Sequence, residues 1–422
     1  MIKKFLVFSF LISVLFGYDA TVEIVKKMDS LPKIAIQDAS SDSDLYLRKK
    51  FFKLLRGDFR VSSHFRVLDE YLTSSYDGSV GENFLSDKNV DLILRYKIVK
   101  NQDGIQAEIK LINARGGEVK TERSYRMTNI RRYPFLAHRI VIDINDEIGA
   151  PSVNWMEQFV IFSKYIGKRE SEIVISDYTL SFQKTIVKGG LNVFPKWADE
   201  KQNSFYYTSY NGFRPTLFKV NLTTGSRKKI ISSNGMLVCS DVSEDGEKLL
   251  LTMAPKDQAD IYIYDLRYKQ LQRVTRYPGI DVNGNFVDHD KRVVFISDRL
   301  GYPNIFAKDI DLESGVEQMV YHGKNNNSVS ALGNYIVYSS REKDSEFGGK
   351  TFNLYLISTK TDYIRQLTAT GKNLYPRFAR DKETIMFIKH FKNQSSLGII
   401  RLNANKSFLF PLKVGKIQSI DW

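Results

Sequence analysis

The feature that most constrains the fold is a sequence unit that recurs six times between Val160 and the end of the chain. Its clearest copy, residues 293–309, reads VVFISDRLGYPNIFAKD. Two runs rich in β-branched and aromatic residues flank a polar turn that contains glycine, and this pattern predicts a β-hairpin. Because one hairpin cannot bury its apolar faces alone, the repeat indicates an array of packed sheets.

The spacing of the copies indicates which kind of array they form. One residue closes the third predicted strand of each unit, and the successive spacings are 44, 44, 44, 49 and 45 residues. These residues are Asp177, Asn221, Asp265, Asp309, Ser358 and Asn403. A period of about 45 residues is typical of a four-stranded propeller blade. The additional residues of the fifth unit fall in 343–350, a stretch rich in glycine and charge that suits a loop insertion.

A second series of residues predicts how the ring closes. The recurring position in the predicted innermost strand is occupied by Trp197, Val242, Phe286, Val329, Phe378 and Trp422. The first unit lacks an inner strand of its own, whereas residues 419–422 supply a spare one. Pairing the two would remove the open sheet edges. We therefore predict a six-bladed β-propeller over residues 151–422, closed by the C-terminal strand.

Residues 32–150 predict a separate α+β domain. Its strands are expected near residues 33–36, 92–99, 105–111 and 119–127. An apolar stripe from Leu47 to Leu55 predicts a helix that ends near Gly57. A second helix is predicted from Pro134 to Gly149, because proline suits a first helical turn and glycine suits a C-terminal cap.

The start of the chain has the pattern of a secretory signal peptide. Lys3 and Lys4 precede an apolar run that is too short to span a bilayer, and Gly17 ends it. We assign residues 1–17 to the signal peptide and 18–31 to an extended segment. The single cysteine, Cys239, excludes an internal disulfide and is interpreted as a buried small hydrophobe.

Charge and histidine content bear on the function classes. The net charge is +14, but the 62 Lys and Arg residues are spread among 48 acids. No basic block alternates with aromatic residues, so we expect no nucleic-acid partner. The five histidines are scattered, and His138 in the second helix is expected to pack or face solvent. His289 is the best single metal candidate, yet we interpret it as a turn residue and expect no metal or cofactor.

Several short segments carry a family resemblance. Residues 195–199, 242–246 and 376–381 resemble degraded copies of the blade motif Pro-x-Trp-Ser-Pro-Asp-Gly of TolB-type propellers. In the first domain the resemblance lies in residues 65–69, 136–140 and 148–150. The chain as a whole therefore resembles the TolB family of the Tol-Pal cell-envelope system.

This resemblance implies a periplasmic, non-enzymatic binding protein that acts in outer-membrane integrity and in constriction at cell division. Family members bind the peptidoglycan-associated lipoprotein Pal through one propeller face, which places them at the periphery of the outer membrane. Other envelope proteins are further candidate partners. The loops that lead into the inner strands are expected to hold the Pal contacts. They carry Asn192, Asn234, Asp281, Asn326, Asn373 and Lys416.

The resemblance also implies that the N-terminal segment of the mature chain binds TolA. The residues expected to do so are Val22, Glu23, Ile24 and Val25, of which Val22 and Ile24 alternate as in a peptide that adds to a sheet edge. The alternative is an exported propeller enzyme, a lyase or hydrolase acting on glycans. Such an enzyme would need clustered histidine or acidic ligands facing the ring axis, and the sequence pattern favours a binding platform.

Overall fold

The computed structural model describes residues 31–41, 44–79, 88–102, 104–310, 314–342 and 351–422. The expected signal peptide, the extended segment up to residue 30 and the insertion at 343–350 lie outside these residues. No helix within the described ranges is long and apolar enough to cross a membrane.

The first domain is a mixed sheet with two helices. Its strands are β1 (Lys33–Asp38), β2 (Arg66–Val67), β3 (Leu72–Thr73), β4 (Leu92–Asn101), β5 (Gly104–Asn113) and β6 (Val119–Met127). Its helices are α1 (Leu45–Ser62) and α2 (Tyr133–Glu147), with short 3-10 helices at Ile130–Arg132 and Asn154–Glu157. The strand order is β2-β1-β4-β5-β6, with β3 also paired to β1. The strands up to β4 run parallel, and β5 and β6 continue as an antiparallel meander.

Helix α1 begins where its sequence provides a cap and ends later than its sequence suggested. The Asp44 carboxylate accepts a hydrogen bond from Tyr46 N (3.0 Å), which satisfies one free N–H of the first turn. The predicted end near Gly57 was wrong, since the helix continues to Ser62. Phe59 and Val61 are buried against the sheet, and that burial outweighs the roughly 1 kcal/mol cost of one glycine inside a helix.

The remaining strands form the propeller. Blade 1 consists of β7 (Val160–Gly167), β8 (Glu170–Ser176) and β9 (Gln183–Val187), with an inner strand from the end of the chain. Blade 2 consists of β10 (Asn192–Trp197), β11 (Ser204–Ser209), β12 (Thr216–Asn221) and β13 (Arg227–Ser232). Blade 3 consists of β14 (Leu237–Val242), β15 (Lys248–Met253), β16 (Asp260–Asp265) and β17 (Leu271–Arg273).

Blades 4 to 6 repeat the same order. Blade 4 consists of β18 (Asp281–Val287), β19 (Arg292–Ser297), β20 (Asn304–Asp309) and β21 (Glu317–Gln318). Blade 5 consists of β22 (Lys324–Leu332), β23 (Tyr335–Arg341), β24 (Phe352–Ser358) and β25 (Ile364–Gln366). Blade 6 consists of β26 (Lys372–Phe378), β27 (Thr384–Phe391), β28 (Gln394–Arg401) and β29 (Lys406–Pro411), and the chain ends with β30 (Lys416–Asp421).

The last strand closes the ring in the predicted way. Strand β30 pairs antiparallel with β7, and the resulting sheet has the order β30-β7-β8-β9. Every blade in the described part of the chain therefore has four strands, and there are six blades. The hairpin predicted for residues 293–309 is confirmed as β19 and β20.

Apolar side chains fill the spaces between adjacent blades. Leu250 and Ile261 of blade 3, for example, pack with Val293, Phe295 and Phe306 of blade 4, and all five are nearly or fully buried. Each blade thus buries its two faces against its neighbours, and a separate hydrophobic cluster fills each of the six interfaces between blades.

The polar residues after the third strands are turn residues, as predicted. Asp177 accepts hydrogen bonds from Thr179 N and Phe182 N. Asn221 and Asp265 each accept two backbone N–H groups within the next three residues. These side chains satisfy the local backbone.

Candidate functional site

The propeller presents two chemically different faces. In an antiparallel four-stranded blade, successive hairpins alternate between the two ends of the strands. Loops between strands 2 and 3, and between one blade and the next, therefore lie where the inner strands begin; we call this side the N-face. Loops between strands 1 and 2, and between strands 3 and 4, lie on the opposite side, the C-face.

A funnel opens at the N-face around the ring axis. Its volume is ≈ 470 Å³, and its walls come from the first halves of the inner strands. Apolar walls include Phe194, Met236, Val282, Leu374 and Tyr375. A larger cavity of ≈ 720 Å³ lies at the C-face, where the inner strands end.

The inner strands share a bulge at the funnel wall. All six show a register shift against their neighbouring strand within the blade. Phe194, Asn283 and Tyr375 stand at these shifts with φ of 54°, 54° and 51°. Non-glycine residues in this left-handed region are strained, and bulges of this kind re-aim side chains near binding sites.

Deeper in the channel, one position of every inner strand forms a polar ring. Its members are Lys196, Asp241, Asn285, Ser330, Arg377 and Asp421. The ammonium nitrogen of Lys196 lies 3.1 Å from carboxylate oxygens of both Asp241 and Asp421. Burial alone would lower the pKa of Lys196, but the two carboxylates outweigh it and raise the pKa.

The carboxylates of this ring also connect neighbouring blades. Asp421 accepts a hydrogen bond from Trp197 N (2.8 Å), and Asp241 accepts one from Phe286 N (2.9 Å). Each bond joins one inner strand to the next. The charged side chains of the polar ring therefore pair with one another and with the backbone, and these contacts stabilise the closed propeller.

Exposed hydrophobic side chains are concentrated on the N-face. Phe213 is 98% exposed, Tyr321 82% and Val414 75%, which is unusual for large apolar groups at loop tips. Among the described residues, the exposed large hydrophobic residues at the N-face are Ile166, Phe213, Met236, Ile280, Leu300, Tyr321, Phe391 and Val414. Those at the C-face are Tyr268, Leu271, Tyr335, Tyr363 and Ile364, and none of them is more than 66% exposed. Sequence reasoning missed these residues, although a large apolar residue in a predicted turn is a usable signal.

The N-face is also strongly basic. In its described loops and flanking strand ends, eleven exposed cations stand against two exposed carboxylates, those of Glu170 and Asp257. The cations are Lys168, Arg169, Lys188, Arg214, Lys256, Arg276, Arg341, Lys372, Lys392, Lys413 and Lys416. The C-face is mixed, with Glu200, Glu244 and Asp245 at the rim of its cavity.

Four of the six residues expected to contact a partner are inside the protein, so that part of the expectation needs correction. Asn192, Asp281, Asn326 and Asn373 are at most 1% exposed. The three asparagine amides donate to backbone carbonyls of the turn just before their strands, and Asp281 pairs with Arg299. These side chains hold the N-face loops in place. Asn234 and Lys416 are exposed on the N-face.

The segment expected to bind TolA, with Val22, Glu23, Ile24 and Val25, lies outside the described residues. Its assignment stays a prediction.

The first domain leaves the N-face open, because it docks at the C-face side of blades 1 and 6. Phe135 of α2 packs edge-on against Phe159 and Phe182. Trp155 contacts Trp422 with ring centroids 5.5 Å apart. The hydrophobic cores of the two domains are continuous there.

A buried charge cluster lies in this domain interface. His138 of α2 bonds Asp58 of α1 (2.7 Å) and Asp177 of blade 1 (3.4 Å), and Tyr178 donates to Asp58. All four side chains are buried. Burial alone would lower the pKa of His138, but the two carboxylates raise it to about 10. His138 was predicted to pack or face solvent; it is buried and pairs with two carboxylates from distant parts of the chain, and the cluster joins the two domains.

The remaining polar groups do not assemble a metal site. Among the residues that the structure describes, no three His, Cys, Asp or Glu side chains are grouped to hold a metal ion. His289 lies in a C-face turn beside Glu244 (3.3 Å). Cys239 is buried, as expected, and burial raises the pKa of its thiol.

Comparison with known proteins supports one family. A model of the TolB amino-terminal domain matches residues 20–119, and a model of the TolB β-propeller domain matches residues 158–422. The Tol-Pal system protein TolB of Wolinella succinogenes is 52% identical over 422 residues, which cover 99% of this chain and 100% of that protein. The TolB of Campylobacter jejuni is 46% identical, with 100% and 99% coverage.

A solved structure agrees with the fold. The crystal structure of TolB from Acinetobacter baumannii superimposes with a TM-score of 0.75 at 19% identity, covering 93% of this chain and 97% of that one. The sequence matches span both domains, and the polar ring and closing strand lie within the matched propeller. The chain belongs to the TolB family of Tol-Pal system proteins.

Proposed function

We propose that this protein is the periplasmic binding component of a Tol-Pal system, that it binds Pal through the N-face of its propeller, and that it has no enzymatic activity. It would bind TolA through its N-terminal segment around Val22–Val25. Through Pal it would lie at the periphery of the outer membrane and support envelope integrity and constriction during division.

The observation that carries the N-face assignment is the presence of highly exposed hydrophobic side chains on the loops of that face. Phe213, Tyr321 and Val414 are each at least 75% exposed, and hydrophobic groups rimmed by polar residues mark protein interaction surfaces. The first domain docks at the opposite side, so a partner can approach the funnel without displacing it.

The TolA contact rests on the sequence pattern and on family membership. Val22 and Ile24 alternate as in an extended strand, which could add to an exposed sheet edge of a partner.

A binding role also suits the titratable groups of the channel. Lys196, Asp241 and Asp421 are paired with one another and with backbone N–H groups. Because these side chains are paired, they stabilise the closed ring. Acid–base catalysis of glycan cleavage would instead require a pair of carboxyl groups placed to exchange protons with the substrate.

The test is a binding measurement with matched variants. The soluble domain of Pal from the same cell should bind the purified mature chain in calorimetry. Phe213→Ser on the N-face should weaken binding about tenfold or more, as for a buried aromatic contact. Tyr268→Ser is the control, because Tyr268 is 66% exposed but lies on a C-face hairpin. Equal loss in both variants would contradict the N-face assignment.

A deletion variant tests the proposed TolA contact. Removing residues 18–27 should abolish TolA binding and spare Pal binding. No Pal binding by the intact chain, together with measurable turnover of a glycan, would overturn the proposal in favour of a lyase.

A further inference from the structure

The N-face carries a chemical asymmetry that specifies its partner. Eleven exposed cations face solvent there against two exposed carboxylates, among the residues that the structure describes. A surface with such an excess of positive charge attracts an acidic surface and repels a basic one. The net charge of +14 alone does not explain why the N-face is so basic, because the C-face of the same propeller carries charges of both signs.

The cations are densest where blade 6 meets the funnel. Lys372 lies directly opposite His390 in the β26–β27 ladder, Lys389 is next to His390 in the chain, and Lys416 begins the adjoining inner strand. The Lys389 ammonium donates to Thr370 Oγ1 (3.1 Å). We call Lys372, Lys389 and Lys416 the blade-6 cation group.

Two observations indicate that, among the described residues, the positive charge around the neighbouring His390 is not compensated. Burial, followed by the charges of Lys416 and Lys372, lowers the pKa of His390 to about 4, so its imidazole is neutral at physiological pH. Its Nδ1 atom is buried and has no hydrogen-bond partner among the described residues. Burial likewise lowers the pKa of Lys389.

We infer that the N-face docks a protein with an acidic surface, whose carboxylates pair with the blade-6 cation group while an apolar loop enters the funnel. This inference rests on the proposed function and adds the chemistry of the partner surface to it. Two features favour a protein over an anionic membrane. The N-face contains a funnel of ≈ 470 Å³, which a flat bilayer would leave unfilled. The funnel wall carries aromatic and aliphatic side chains suited to a protein loop, such as Phe194 and Leu374.

The experiment measures the salt dependence of binding and the effect of charge reversal. The probe is the soluble domain of Pal from the same cell, titrated by calorimetry in 50, 150 and 400 mM NaCl. We expect affinity to fall about tenfold or more across this range, because exposed charge pairs are screened. The double variant Lys372→Glu and Lys416→Glu should bind about tenfold or more weakly at 150 mM NaCl.

A matched double variant on the opposite face controls for net charge. Lys248 and Lys291 are exposed on C-face loops, so Lys248→Glu with Lys291→Glu changes the total charge equally and should leave affinity within about twofold. Thermal unfolding of each variant checks that it is folded.

The outcomes separate the two hypotheses. No binding by the unmodified chain at any salt concentration overturns the proposed function. Binding that is insensitive to salt and to the Lys372 and Lys416 reversal overturns only the acidic-partner inference. In a parallel assay, vesicles containing phosphatidylglycerol should not be retained; retention that depends on Lys372 and Lys416, without Pal binding, would identify a lipid surface and overturn the inference.

Discussion

Replacing His138 by alanine tests whether the buried charge cluster holds the two domains together. The substitution removes the imidazolium that pairs with both Asp58 and Asp177, two carboxylates that are fully buried. Asp177 keeps bonds from Thr179 N and Phe182 N, but Asp58 is left with the Tyr178 hydroxyl as its remaining bond.

The expected cost follows from that imbalance. Removing one partner of a buried ion pair destabilises a protein by about 3–5 kcal/mol, because an uncompensated charge remains in a low-dielectric interior. We therefore expect the free energy of unfolding to fall by about this amount. Guanidinium denaturation followed by tryptophan fluorescence measures it, since Trp155 and Trp422 lie in the same interface. The chain has two domains, so the transition that includes the interface is the one to fit.

Two variants serve as controls. His64→Ala removes a histidine of the same domain that bonds a neutral amide, Asn145 (2.6 Å), and should cost about 0.5–1.5 kcal/mol. The pair His138→Gln with Asp58→Asn replaces the charges by neutral hydrogen-bonding groups and should be more stable than His138→Ala. If His138→Ala lowered the free energy of unfolding by less than about 1 kcal/mol, the reasoning would be refuted.

Three further predictions concern pH, closure and packing. The pKa of His138 is about 10 in the folded protein and roughly 6.5 in the unfolded chain. The protonated imidazole therefore stabilises the fold fully below pH 6.5, and this contribution is lost as the pH rises through 10. The thermal midpoints of the parent and His138→Ala should converge over that range. Asp421→Ala removes an ion pair and a bond to the next blade, so it should cost about 2–4 kcal/mol and exceed the loss for Asp421→Asn in thermal unfolding. In Gly398→Ala the new Cβ would lie 2.3 Å from the ring of Phe387, so the free energy of unfolding should fall by about 1–3 kcal/mol. In the control Gly116→Ala the new Cβ would have no atom within 4 Å, so the free energy of unfolding should stay nearly unchanged. Denaturant titration measures both variants. Loss of equal size in the two glycine variants would contradict the packing argument.

Much of the fold is encoded locally. The spacings of 44 to 49 residues between equivalent polar residues reflect strand and turn lengths that each blade sets for itself, so the blade number and the closing strand were readable before any coordinates. The same holds for Asp177 as a turn residue, because the backbone N–H groups that it accepts lie within five residues along the chain, whereas its bond to His138 depends on the docking of the two domains.

The sequence by itself determined the two domains, the six blades and the family, because hydrophobic period, turn chemistry and repeat length are short-range properties. The tertiary structure alone decided which polar side chains face a partner. Asn192 lies at the same register position as the buried Ile417, whereas Lys416 lies one residue earlier and is exposed, and only the strand pairing shows this offset. It also brought together His138 with Asp58, 80 residues apart, and Lys196 with Asp421, 225 residues apart. Such pairs form because closing the ring and docking the domains fix distances that no local pattern encodes.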